Sequence, residues 1–141
     1  IHTLWFEAHY MYRKKLASFA EQFAPAKVKF RCGVETFDTA LREAWKKGIP
    51  SSVSVQDIAQ HFQGICLLCC TQGETKEHIQ KDIELAKAHF EYFSVNVFCD
   101  NHTPIKQDKE LASWFAKVVY PMIKDDPRIE VLMENTDLGV G

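Results

Sequence analysis

Ile65-Cys66-Leu67-Leu68-Cys69-Cys70 is apolar at every position. A strand that faces water on one side alternates polar and apolar residues. An unbroken apolar run of this length reads instead as a central strand of a parallel sheet, with helices above and below it. Working outward, Gly64 closes a short helix on the N-terminal side, whose inward residues are Val55, Ile58, Ala59 and Phe62 and whose start is marked by Ser54-x-x-Asp57, a capping-box pattern. On the C-terminal side Thr75 caps a helix with Ile79, Ile83, Ala86 and Phe90 on one face, and Phe93–Cys99 (FSVNVFC) is a further strand.

The same alternation reaches both ends of the chain. Thr3–Ala8 (TLWFEA) reads as a strand. Leu16, Phe19, Ala20 and Phe23 recur at helical spacing until Pro25, which cannot continue a helix. Val28, Phe30, Cys32 and Val34 alternate with polar or small residues, so Val28–Glu35 is a strand. Asp38 caps a helix carrying Leu41, Ala44 and Trp45 that stops at Gly48. After Asp108 the residues Leu111, Trp114, Phe115, Val118, Val119 and Met122 keep helical spacing, with Pro121 bending or ending the helix. Ile129–Met133 is the last strand. Five strands separated by helices predict an α/β fold: a parallel sheet in sequential order with right-handed crossovers, strands near 3–8, 28–35, 65–70, 93–99 and 129–133, and helices over its outer face. A full (β/α)8 barrel needs at least about 200 residues. A chain of 141 residues therefore predicts a partial, TIM-like barrel in one domain, 1–141.

Composition excludes several functions. Lys plus Arg (17) and Asp plus Glu (19) give a net charge of -2, against a nucleic-acid binder that works through a basic field. No apolar run reaches the roughly 20 residues of a membrane span. The opening Ile1-His2-Thr3 has neither a Met nor a charged leader, which predicts a piece of a longer cytoplasmic protein. Cys32, Cys66, Cys69, Cys70 and Cys99 are odd in number and mostly sit within apolar runs, as free thiols do in a reducing compartment. A partial barrel also predicts an exposed sheet edge through which the chain could self-associate.

In parallel α/β folds ligands bind at the carboxyl ends of the strands. Those ends read Glu7-Ala-His9-Tyr10, Glu35-Thr36-Phe37-Asp38, Thr71-Gln72-Gly73-Glu74-Thr75, Asp100-Asn101-His102-Thr103 and Glu134-Asn135-Thr136-Asp137. The rim offers carboxylates, hydroxyls and amides, which suit a polar, hydroxyl-rich small molecule.

Four stretches of the sequence resemble, in order, the later part of the barrel of radical S-adenosylmethionine (SAM) enzymes. TLWFEA is similar to the third strand of that barrel with its inward Glu. GVETFDTALREAWKKG is similar to the fourth strand and its helix, LLCCTQGETKEHIQKDIELAK to the fifth, and FSVNVFCDNHTPI to the sixth. The resemblance implies a parent enzyme that holds SAM and a [4Fe–4S] cluster and cleaves SAM reductively to a 5′-deoxyadenosyl radical acting on an unknown substrate. It also implies that Glu7, Glu35, Cys66, Thr71, Gly73 and Asn96 line the cofactor site. Cys66 stands where some relatives have Asp, and Cys70 and Gln72 stand where the family turn has Gly and Pro. The Cys-x3-Cys-x2-Cys motif that holds the cluster is absent from this sequence. Cys66, Cys69 and Cys70 lie in one strand, where alternate side chains face opposite ways, so this chain alone is expected to hold neither cluster nor zinc. His78 and His89 are expected on solvated helix faces, and Trp45 and Trp114 in the core. The competing expectation is a free-standing half-barrel that binds a partner without catalysis.

Overall fold

The computed structural model describes residues 2–45 and 47–133. Its framework is one five-stranded sheet: β1 (Thr3–Glu7), β2 (Lys27–Glu35), β3 (Gly64–Cys69), β4 (Tyr92–Val97) and β5 (Ile129–Leu132). The strands pair in sequential order, all parallel, and curl into half of a barrel. This is the predicted architecture. Parallel neighbours require a crossover between each pair. The connections carry α1 (Leu16–Glu21), α2 (Thr39–Ala44), α3 (Val55–Ala59), α4 (Lys76–His89), α5 (Lys109–Trp114) and α6 (Tyr120–Ile123).

Strand alternation divides the sheet into two chemically different faces. Val28, Phe30, Cys32 and Val34 of β2, Ile65, Leu67 and Cys69 of β3, and Phe93, Val95 and Val97 of β4 point outward under the helices. Most are buried, and they form one core with Ile58, Ile79, Ile83, Ala86, Phe115 and Ile123. The inner face carries Trp5 and Glu7, Lys29, Arg31 and Gly33, Cys66 and Leu68, Tyr92, Ser94 and Asn96, and Glu130. The run at 65–70 thus corrects one expectation. Helices cover only one side of β3, and Cys66 and Leu68 on the other side are half-buried.

Three helix starts are set by residues the sequence singled out as caps. Asp38 accepts from Leu41 N and Thr75 from His78 N, while Ser54 and Asp57 form a reciprocal capping box; Asp108, not read as a cap from sequence, accepts from Leu111 N. Thr75→Ala is therefore expected to lower stability by about 1 kcal/mol, measured by urea denaturation, because it leaves an end N–H of the longest helix unpaired.

Three local departures have physical causes. Residues Tyr10–Lys15 form a 3-10 turn ahead of α1, capped by His9, so the helical run begins irregularly. Gly64 begins β3 rather than closing α3. The last helix does not stop at Pro121. A π-helical turn, Phe115–Val119, precedes it, with Tyr120 N bonded to Phe115 O. The wider turn re-registers the ladder just where the proline ring would strike a carbonyl.

Candidate functional site

The carboxyl ends of β1 and β2 open onto a polar pocket of about 430 Å³ lined by Glu7, Ala8, His9, Gly33, Trp45 and Lys47. Its walls come from segments far apart in sequence that a single imidazole joins. His9 Nδ1 accepts from Met11 N, so Nε2 carries the proton, and it donates to the Lys47 carbonyl at 2.6 Å. Gly48, next in the chain, has φ +72, and a Cβ there would lie 3.3 Å from the His9 ring. Glycine is thus required twice, for the left-handed backbone and for the close approach.

Glu35 ends β2 beside this pocket. Its φ is +71, which is rare for a side chain with a Cβ, and the β2–β3 register shifts between Cys32 and Glu35. The carboxylate lies over Gly33, with Oε1 4.0 Å from where a Cβ there would sit, an ordinary van der Waals distance. Lys47 Nζ lies 3.8 Å from Glu35 Oε2, and the Glu35 side chain is 18% exposed. Burial pushes the Glu35 carboxyl above its ordinary pKa, and the Lys47 ammonium pulls it part of the way back. The arrangement gives a carboxylate and a cation side by side at a half-open cavity.

The other residues singled out from sequence occupy three environments. Glu7 and Cys66 lie on the inner face. Arg31 Nη2 donates to Glu7 Oε1 at 2.6 Å, and the Cys66 thiol lies 4.0 Å from the same oxygen. Burial raises the Cys66 pKa, which keeps it a thiol rather than a thiolate. Asn96 is also on this face. Its Oδ1 is buried without a hydrogen-bond partner among the described residues. Thr71 is fully buried instead. Its N–H and hydroxyl both donate to Glu74 Oε1 at 2.9 Å, tying down the turn after β3. Gly73, with φ +98 and open space around it, lies at the tip of that turn. Cys70 takes φ +70 at the end of β3, and its carbonyl accepts from Asp108 N at 2.7 Å. Asp100 and Asn101 spend their side-chain oxygens on Gln107 N and on Thr103. Glu134 to Asp137 lie outside the described residues.

Several expectations need correction. Trp45 is half-buried and lines the polar pocket rather than the core. Trp114, by contrast, packs against the core as expected, half-buried, with Lys76 Nζ 5.7 Å from its ring centroid. His78 is half-buried, with Nε2 3.5 Å from Asp38 Oδ2, and His89 is half-buried too. Lys47 was not foreseen as a pocket wall, whereas His9 belongs to the rim read at the end of β1. Their contact does not stand out in the sequence, because loop closure over 38 residues brings them together. Asp82 was also missed, although a signal existed. It falls on the apolar stripe of α4 with Ile79, Ile83 and Ala86, where a carboxylate needs partners. It is 5% exposed and accepts from Thr36 Oγ1 at 2.8 Å and Phe37 N at 3.0 Å, fixing the loop that follows Glu35.

No group of three or more His, Cys, Asp or Glu side chains among the described residues could hold a metal ion. No helix among them is long and apolar enough to cross a membrane. No protein-family model matches the chain, and no curated protein matches it. Among solved structures it is similar to the queuine lyase from Clostridium spiroforme bound to SAM and queuine, at 35% identity with a TM-score of 0.89. The chain is a partial parallel α/β barrel similar to part of that lyase. The match takes in 99% of this chain and 60% of the lyase chain, so the chain spans well under the whole length of its relative. At this identity over nearly every residue, the likeness extends beyond the bare fold.

Proposed function

We propose that this chain is the later part of a radical SAM enzyme's barrel, supplying residues that bind SAM and a queuine-like base. The observation that carries the reading is the pocket at the ends of β1 and β2. A carboxylate held over a glycine beside an ammonium lies where parallel barrels bind their ligands. The similarity to a lyase bound to SAM and queuine points to the same pair of ligands.

The residues present fit SAM and do not fit the cluster. A cavity of about 430 Å³ admits a nucleoside-sized group. Glu35 can accept hydrogen bonds from ribose hydroxyls or an ammonium. The described residues offer no converging thiolates to hold the cluster. In such an enzyme SAM supplies the hydrogen-abstracting group. The work of this chain is to bind, orient and shield it.

Equilibrium binding of SAM to the intact protein that carries this chain tests the reading. Glu35→Ala is expected to weaken SAM binding by about 1.5–3 kcal/mol, the range for a hydrogen bond to a charged group. Unchanged affinity with a normal melting curve removes Glu35 from the site, and no SAM binding by the parent protein removes the reading.

A further inference from the structure

We propose that the Glu7–Arg31 pair on the inner face reads the substrate, and that it takes the cyclic lactam edge (an N–H beside a C=O) of a guanine-like base. The proposal rests on the reading above and names the chemistry by which that site would recognise its substrate.

The pair is fixed but unsaturated. Glu7 ends β1, Arg31 lies directly opposite it on β2, and Nη2 of Arg31 donates to Oε1 of Glu7. That same oxygen faces the Cys66 thiol. Oε2 of Glu7 has no hydrogen bond among the described residues, and Arg31 makes no other side-chain hydrogen bond among them. Both groups reach solvent on the inner side, at 67% and 28% exposure. The pair therefore shows an open acceptor next to open, planar donors.

This pattern selects among ligand classes. A free anion at Arg31 would meet the Glu7 carboxylate, and a free cation at Glu7 would meet the guanidinium. A neutral group with its own donor beside its own acceptor satisfies both at once. Carboxylates accept from N–H groups and guanidinium donates to carbonyl oxygen in a planar fork. A ring lactam has this order of atoms in one plane.

The surroundings suit a flat ring. Trp5 and Tyr92 flank the pair on the same face, with centroids 5.6 Å apart and planes tilted by 48°. Gly64, in register with Arg31 and Tyr92, has no side chain, and the Trp5 ring lies over it. Tyr92 is oriented by its hydroxyl, which donates to Glu130 Oε2 at 2.9 Å. An aromatic wall thus adjoins a donor–acceptor edge.

The test uses the intact protein and three probes: SAM, 7-deazaguanine, and 7-deazaguanine methylated at the lactam nitrogen. Dissociation constants are measured by calorimetry. The unmodified protein is expected to bind SAM, and to bind the lactam about tenfold or more tightly than its methylated form, since a site built around a donor rejects the analogue lacking it. Arg31→Lys keeps the charge but loses the fork, and is expected to narrow that ratio to about threefold or less. If its melting curve shows unfolding, Glu7→Gln replaces it, with the same narrowing expected. SAM binding with equal affinity for the two bases overturns this proposal alone, as does a ratio unchanged in the folded variant. Loss of SAM binding by the unmodified protein overturns the underlying reading and this proposal with it.

Discussion

Asp82→Ala is expected to destabilise the protein by about 4 kcal/mol near pH 4, and by only about 1 kcal/mol near pH 8. At low pH the cost is that of two buried donors, the Thr36 hydroxyl and the Phe37 N–H, left without their acceptor, at about 1–3 kcal/mol each. The pH dependence follows from the carboxyl itself. Burial raises the Asp82 pKa to about 6, from 3.8 for the free group. Between those values the unfolded chain has lost this proton while the native chain still holds it. The native state is therefore favoured below the unfolded pKa and loses that advantage as pH rises through the folded one. A rise of about 2 units corresponds to roughly 3 kcal/mol, which the unsubstituted protein loses between pH 4 and 8 and the variant does not. Urea denaturation of both proteins at the two pH values measures it, and an equal loss at both would show that the Asp82 carboxyl titrates normally. Glu74, also buried and pushed up by burial to about 7, acts in the same direction over a slightly higher window. The variant should also loosen the Thr36–Asp38 loop, and so the placement of Glu35 at the pocket.

What the sequence revealed, and what it hid, follows from the range of the interactions involved. Strands and their order were legible because period-2 and period-3.6 patterns are local, and because parallel neighbours need crossover helices. Caps were legible for the same reason: Asp38, Ser54 and Thr75 each bond within three residues. The Glu35 position stood out because a carboxylate at the end of an apolar-alternating strand needs a partner. Its partner did not stand out, because Lys47 lies twelve residues on and reaches Glu35 only after α2 has turned the chain back. Arg42 was hidden likewise. It is 1% exposed on a short helix, and its guanidinium donates to the carbonyls of Pro50 and Val53, neither of which a sequence pattern can announce. The apolar run at 65–70 misled about the second face of β3 because hydrophobicity alone does not distinguish a helix-covered face from a barrel interior. On that interior, Cys66 and Leu68 lie among polar groups of neighbouring strands.

Gly64→Val is expected to cost about 3 kcal/mol or more, in the upper range for overpacking a tight site. A Cβ at this position would lie 2.8 Å from the Tyr92 carbonyl oxygen on β4 and 3.1 Å from the Trp5 ring carried by β1. The first neighbour is backbone inside the sheet and cannot rotate away. The second is a side chain on the open inner face, 42% exposed, which can. The two contacts can therefore be separated. Gly64→Ala should cost less than Gly64→Val because it adds one carbon instead of three. In a Trp5→Ala background the cost of Gly64→Ala should fall without vanishing, since the carbonyl contact remains. A double-mutant cycle by denaturant unfolding reads the coupling directly. Complete recovery would place the whole strain on the indole and none on the β3–β4 ladder. Partial recovery means that Gly64 serves two ends: it lets two strands approach at the base of the sheet, and it leaves the space across which Trp5 reaches Tyr92 to form the aromatic wall beside Glu7 and Arg31.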